Sequence, residues 1–452
     1  MKKNDTLTLT ITGTTADGAG VGRQDGMAVF VQGAAEGDVV RAHVIKVKKQ
    51  YAVAKIEKIL TPSPDRADPG CPVAARCGGC AFRHLRYEAE LRIKQQRVRD
   101  AFARIGGLQV EPAPILAASR LSGYRNKAQY PVGRVDGALQ IGFYAPRSHR
   151  IIDCRDCALQ PPEFARALRV FAAFIEETGL SVYDERTGTG LLRHIYLRKA
   201  EATGQLMVCP VVNGNTLPGA ERLVALLRAE FSDLLKTVVL NCNTSRTNVV
   251  LSDQCKTLYG DGYLTDVLCG VKVRLSALSF YQVNREQAQR LYEQAAMLAE
   301  PDGKILLDLY CGAGTIGLSM AARAAKVYGA EIVPQAVEDA RYNAAQNGIL
   351  NAEFFCADAH QAAARLAAQG VRPDVVVVDP PRKGLSPELP ALIAQRLCPQ
   401  RVVYVSCDPA TLARDCAAFA AQGYAVRHAV PVDLFPRTAH VETIVLLQRE
   451  TL

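Results

Sequence analysis

The segment from residue 304 to residue 406 constrains the fold more than any other part of the chain. Strand-like runs at Lys304 to Leu309, Lys326 to Ala330, Ala352 to Cys356, Asp374 to Val378 and Arg401 to Ser406 alternate with helix-like runs, one following Gly317 and one at Pro334 to Asn347. Such alternation packs helices on both faces of a sheet, which predicts an α/β, doubly wound parallel arrangement. A helix at Asn284 to Glu300 precedes it, opened by the capping-box pair Asn284 and Gln287.

With 452 residues the chain has room for two to four domains of roughly 100–200 residues each. Residues 1–61 carry short β-rich runs at Thr6 to Thr12, Met27 to Gln32, Asp38 to Val47 and Gln50 to Ile59, separated by glycines. That pattern predicts a small barrel of the oligonucleotide-binding (OB) type. The Thr61-Pro62-Ser63-Pro64-Asp65 stretch reads as a linker. Residues 62–275 are expected to form a central α+β domain and residues 276–452 the α/β domain. A basic helix is expected at Tyr87 to Ile105, with Leu91, Val98, Phe102 and Ile105 on its apolar side and a stop at Gly106-Gly107.

The net charge is +9, and residues 1–110 hold 18 basic against 11 acidic residues. The excess is concentrated in the front of the chain, as a polyanion partner requires. A solvated strand edge guarded by lysines is the plainer reading of Arg41, Lys46, Lys48, Lys49, Lys55 and Lys58. No uninterrupted aliphatic run is long enough to span a bilayer, and no apolar stretch follows Lys2 and Lys3. A cytoplasmic protein without a membrane partner is expected, whose fourteen cysteines are not disulfides.

Three strand ends carry polar motifs. After the first, Asp308-Leu-Tyr310-Cys-Gly312-Ala-Gly314-Thr315-Ile-Gly317 turns into a helix. Its glycines allow close backbone approach to a ligand. Glu331 lies about 20 residues further on, where an acid can accept from both ribose hydroxyls, and Asp358 is placed to meet an adenine edge. The same glycines match a dinucleotide fingerprint, so an NAD-dependent dehydrogenase stays open. The second motif is Asp379-Pro-Pro-Arg382-Lys-Gly, similar to that of amino-group methyltransferases but lacking the aromatic that usually follows. In the third, Ser406-Cys407-Asp408-Pro409, Asp408 and Pro409 should cap a helix beside the Cys407 thiol and lower its pKa.

The Asp433–Glu442 stretch offers Asp433, His440 and Glu442 as candidate general bases. Phe280 and Gln282, just before a helix, are placed to stack and hydrogen-bond. Cys71, Cys77 and Cys80, with Cys154 and Cys157 further on, have the density of a zinc or iron–sulfur site, and His84 offers a Cys3His alternative.

Together these motifs resemble the RNA uracil-C5-methyltransferase family, and its 23S rRNA branch in particular, since the tRNA branch typically lacks both barrel and cluster. The resemblance implies a TRAM-type RNA-binding barrel at residues 1–61, a [4Fe–4S] cluster on Cys71, Cys77, Cys80 and Cys157, and S-adenosyl-L-methionine at Gln282, Tyr310, Gly312, Gly314, Thr315, Glu331, Asp358 and Asp379. Tyr310 and Thr315 stand where the family commonly has Phe and Asn. The resemblance further implies Cys407 as nucleophile, Glu442 as base, and Asp379 and Phe280 against a uridine of 23S rRNA held in a single-stranded loop or flipped from its stack. No obligate protein partner is expected. tRNA methylation, amino-group methylation and a non-catalytic RNA-binding assembly factor are the alternatives.

Overall fold

The computed structural model describes residues 1–450. At the front, strands Thr6–Thr10, Gly13–Thr14, Gly20–Gln24, Met27–Gln32, Val39–Val47 and Tyr51–Thr61 form one sheet. Val40, Ala42 and Val44 alternate inward with Ala52 and Ala54 from the neighbouring strand, burying a small core. Register shifts along this pair bend it, and Thr12 N–H donates to Val21 O, drawing the first strand back onto the third. Gly20–Gln24, missed in the sequence because glycines read there as turns, is required to be glycine-rich. A Cβ on Gly20 would stand 2.9 Å from Ala34 O.

The central region holds a seven-stranded sheet ordered Cys255–Tyr259, Leu235–Cys242, Leu206–Val212, Leu192–Lys199, Lys127–Val135, Ala138–Tyr144, Ile151–Asp153. Only the pair Leu206–Val212 and Leu235–Cys242 is parallel, joined through helix Ala220–Phe231. Helices Pro162–Thr178 and Ala220–Phe231 cover one face with Phe164, Phe171, Phe174, Leu223 and Leu227. The other face, through Tyr196, Met207 and Val211, shares a core with the C-terminal region.

The C-terminal sheet is ordered Ala352–Cys356, Lys326–Glu331, Ile305–Leu309, Val375–Val378, Arg401–Ser406, Glu442–Arg449, Tyr424–Val432. Its first five strands are parallel, as expected from their alternation with helices. The last two lie beyond the segment read from the sequence, and Glu442–Arg449 runs antiparallel to both neighbours. Val375–Val378 is wholly buried, and each valine contributes roughly 1.5–3 kcal/mol relative to exposure.

The basic helix spans Tyr87–Ala101, continues as a wide turn over Phe102–Gly106 and ends at Gly107 in the left-handed region. It packs on the C-terminal sheet through Val98, Ala101 and Phe102. Gly106 lies so close to Ala413 that a Cβ would stand 2.9 Å from its carbonyl oxygen. Two side chains reverse their expected places: Ile105 is exposed, and Lys94 is buried. Among the described residues no helix is long and apolar enough to cross a membrane.

Candidate active site

Strand register brings the sequence motifs to one edge. Leu309 is the partner of both Ala330 and Val378, Glu331 is the partner of Cys356, and Val378 is the partner of Tyr404. Tyr310, Glu331 and Asp379 therefore emerge side by side at the carboxyl ends of parallel strands, where open α/β sheets bind ligands. Ser406 pairs with Thr443 in the antiparallel ladder, which sets Cys407 opposite Glu442 just beyond it.

The loop after Ile305–Leu309 is tightly wound. Tyr310, Gly312 and Gly314 all have positive φ, and the helix begins at Thr315 rather than after Gly317. Gly314 is held against Phe354, whose ring would lie 3.0 Å from an added Cβ. Asp308 accepts from Gly317 N–H at 2.9 Å, while its Oδ1 is buried with no hydrogen-bond partner among the described residues. Burial, with Asp379 and Glu331 nearby, pushes the Asp308 carboxyl up to about 7. Glu331 accepts from Gly312 N–H at 3.2 Å and Val333 N–H at 2.9 Å, which fixes both oxygens at the loop's rim. Tyr292, missed in the sequence, lies 3.4 Å from Thr315 Oγ1. Backbone and carboxylates that converge this closely suit a polar nucleoside ligand. Asp358 caps helix Ala359–Ala368 by accepting from His360 N–H at 2.9 Å, a structural task the sequence did not reveal.

Asp379 is partly buried, and desolvation of its carboxyl pushes it up to about 7. Glu442 is buried, and desolvation followed by the charge of Asp379 raises it to about 8, against a smaller opposing effect of Arg382. The Cys407 thiol is raised to about 11 by desolvation and then by Glu442 and Asp379, which corrects the expected lowering. The helix Pro409–Ala420 does begin beside it, but Asp408 accepts from Ala410 N–H at 2.9 Å and Thr411 N–H at 3.1 Å. Those donors serve the capping carboxylate and not the sulfur.

The strap from Asp433 to Glu442 is tied from several sides. Lys94 Nζ donates to Asp433 Oδ1 at 2.6 Å and to Glu90 Oε1 at 2.7 Å, and Tyr87 OH lies 2.7 Å from Asp433 Oδ2. Asp433 is thus committed to an internal network and does not face Cys407. His440 is exposed, and burial of its ring edge with surrounding arginines lowers it to about 4. Of the three candidate bases, Glu442 alone sits at the strand register of the thiol. The Phe280–Gln282 segment is tied to this strap. Asn284 caps helix Arg285–Ala299 by accepting from Gln287 N–H at 3.3 Å and donates to Leu434 O at 3.0 Å. Gln287 does not return the capping-box bond but reaches Asp433 O at 3.0 Å. The Gln282 carbonyl accepts from Asn126 Nδ2, and Phe280 is 70% exposed, with its ring free for a ligand.

Cys71, Cys77, Cys80, Cys154 and Cys157 share one neighbourhood: desolvation and then the neighbouring thiols raise Cys77 and Cys80, while the hydrogen bond between Cys154 and Cys157 raises the first and lowers the second to about 6. Val73, Ala145 and Ile152 line it with apolar surface. Among the described residues, no three His, Cys, Asp or Glu side chains stand close enough to hold one metal ion. His84 lies instead against Arg66 and Asp38, so it does not complete a Cys3His set. The cysteine loop touches the strap directly: Ala81 and Phe82 N–H donate to Arg437 O at 2.9 and 3.0 Å.

Residues 271–450 match the family described as tRNA (Uracil-5-)-methyltransferase, and residues 2–56 match the TRAM domain. The chain is 41% identical to an uncharacterized RNA methyltransferase of Clostridium tetani, covering 99% of this chain and 97% of that protein. It is 43% identical to an uncharacterized RNA methyltransferase of Halalkalibacterium halodurans, covering 99% and 98%. The crystal structure of Pyrococcus abyssi tRNA (uracil-54, C5)-methyltransferase in complex with S-adenosyl-L-homocysteine has a TM-score of 0.80 at 28% identity, covering 98% of this chain and 100% of that chain.

Proposed function

Because the chain belongs to the RNA uracil-C5-methyltransferase family, we propose that it methylates C5 of a specific uridine in 23S rRNA. The observation that supports methylation at C5 is the placement of Cys407 opposite Glu442, with Asp379 beside them. In this reading the chain divides into a barrel at residues 1–61, a central domain at 62–275 and a methyltransferase domain at 276–452.

Uracil C5 is a poor nucleophile until C6 is attacked. Cys407 Sγ adds as thiolate to C6, and the negative charge moves onto O4 and C5. Asp379, at the adjoining strand end, orients the uracil edge beside the nucleophile and the base. Gln282, Tyr310, Gly312, Gly314, Thr315, Glu331 and Asp379 would hold S-adenosyl-L-methionine, which would give its methyl group to C5 and leave as S-adenosyl-L-homocysteine. Asp358 stays in that set, since its capping bond occupies Oδ1 alone. Glu442 carboxylate then takes the C5 proton, the C5–C6 double bond re-forms, and the Cys407 sulfur leaves. Its value of about 8 suits a base working near neutral pH. Phe280 stacks on the uracil ring, which must leave its own stack to arrive.

Cys71, Cys77, Cys80 and Cys157 hold a [4Fe–4S] cluster in this reading. An all-thiol donor set in apolar surroundings suits iron–sulfur ligation, and a four-iron cluster is wider than one ion, so its ligands stand further apart. It stiffens the loop that anchors the strap through Arg437 O.

Methylation of tRNA is the second reading, favoured by the resemblance to the Pyrococcus abyssi enzyme. That match covers 98% of this chain, so the N-terminal barrel does not separate the two substrates. Transfer of labelled methyl groups to unmodified 23S rRNA and to unmodified tRNA tests the choice. Label in 23S rRNA is expected; label in tRNA alone would replace the first reading with the second.

A further inference from the structure

Three arginines gather at the strap with no carboxylate in direct contact. Arg97 of helix Tyr87–Ala101 donates through Nη1 to Ala439 O at 2.8 Å and to Ala16 O at 3.3 Å. Arg382 Nη2 lies 3.5 Å from His440 Nε2. Arg125 follows Tyr124, whose hydroxyl donates to Pro436 O at 2.8 Å, and its charge reaches both His440 on the strap and Cys157. All three charges act on the His440 ring. Asp408 and Asp17 act on Arg97 and Glu442 acts on Arg382 from a distance, but among the described residues none of the three arginines forms an ion pair.

Guanidinium groups stay charged throughout the working pH range and repel one another when gathered. Their convergence becomes favourable when an anion enters among them. The gathering point is two residues from Glu442 and beside Asp408, the neighbour of Cys407. An anion at that position flanks the uracil pocket, which is where a nucleotide's own backbone must run.

We propose that Arg97, Arg125 and Arg382, with His440 between them, form a subsite for a phosphodiester adjoining the target uridine. The proposal rests on the RNA-methylation reading and deepens it. Arg97 also touches the N-terminal barrel at Ala16, so one side chain joins the barrel to the catalytic strap. The subsite fixes the register of the strand while the uracil pocket reads the base.

The test uses the full chain, S-adenosyl-L-methionine and a short oligocytidine RNA with one central 5-fluorouridine, whose capture by Cys407 fixes the register. One uncharged methylphosphonate replaces the linkage on either side of it. For the parent protein, one of the two replacements should slow capture at limiting RNA by about tenfold, the loss expected for a charge-assisted hydrogen bond. The double variant Arg97→Gln, Arg125→Gln should be slow on both RNAs and indifferent to the replacement, with a salt slope smaller by about 0.7. Capture at saturating RNA and binding of S-adenosyl-L-methionine should be unchanged, and Arg97→Lys, Arg125→Lys should recover most of the salt slope. Equal sensitivity of parent and double variant overturns the subsite and leaves the RNA reading standing. A loss of S-adenosyl-L-methionine affinity also overturns it, by assigning the arginines to the cofactor's carboxylate. Failure of the parent to capture any RNA overturns both.

Discussion

Glu442 stands opposite Cys407 across the end of an antiparallel strand pair, because Ser406 and Thr443 are register partners. The carboxylate is the second cause, after desolvation, of the raised thiol. Removing the charge should favour the thiolate. Glu442→Gln is therefore expected to make Cys407 more reactive toward iodoacetamide at about pH 9, where Glu442 is ionised in the parent, by roughly three- to tenfold. Unchanged or slower alkylation would mean that the two groups do not face each other.

The same variant separates the steps of the reaction. Without a base the C5 proton stays in place, so Glu442→Gln should accumulate a covalent protein–RNA adduct with unmodified uridine substrate. Cys407→Ala should bind RNA and form none. A denaturing gel reads both outcomes. If Glu442→Gln turns over without an adduct, another group removes the proton.

Asp308, Asp379 and Glu442 are raised to about 7, 7 and 8. A carboxyl raised on folding stabilises the fold fully below its unfolded value, and that contribution is lost as pH climbs through the folded value. Stability without ligand should therefore fall between about pH 4 and pH 8 on account of these groups. Asp379→Asn, which cannot ionise, should raise the melting temperature at pH 8 by about 2 °C or more while abolishing methyl transfer. A lower melting temperature would show that the charged carboxylate is stabilising.

Activity follows the opposite direction. Glu442 must be ionised to accept the proton, so kcat under saturating substrates should rise with pH through about 8. A rate that falls across this range would exclude Glu442 as the base.

Lys94 is buried between Glu90 and Asp433, the latter 339 residues away in sequence. Lys94→Met leaves two buried carboxylates without their cation, which costs about 3–5 kcal/mol. Urea unfolding should show that loss, and a change below about 1 kcal/mol would contradict the network.

The C-terminal sheet was legible because its strands are short apolar runs whose polar motifs begin where the runs stop. Cys407, Asp379 and Glu331 could be placed at strand ends for that reason. Glu442 and Tyr424–Val432 were harder, since an antiparallel strand pair leaves no helix between its members to mark the boundary. Lys94 was misplaced because a lysine on a basic helix reads as solvent-facing, and its partner Asp433 lies far along the chain. The direction of the Cys407 shift was hidden for a related reason. Helix capping is local and visible in Asp408-Pro409, whereas the carboxylates that oppose it arrive from other strands. The barrel's glycine-rich third strand was read as turns because close packing, which forbids a side chain there, is a tertiary fact.

The central claim is that Cys407 bonds to C6 of a uridine in RNA during methylation at C5. The direct measurement is peptide mass spectrometry after incubation with 5-fluorouridine-substituted 23S rRNA and S-adenosyl-L-methionine, followed by nuclease and protease digestion. A methylated fluorouridine nucleotide on the peptide containing Cys407 is the expected result. No adduct, or an adduct on any other residue, would contradict the account.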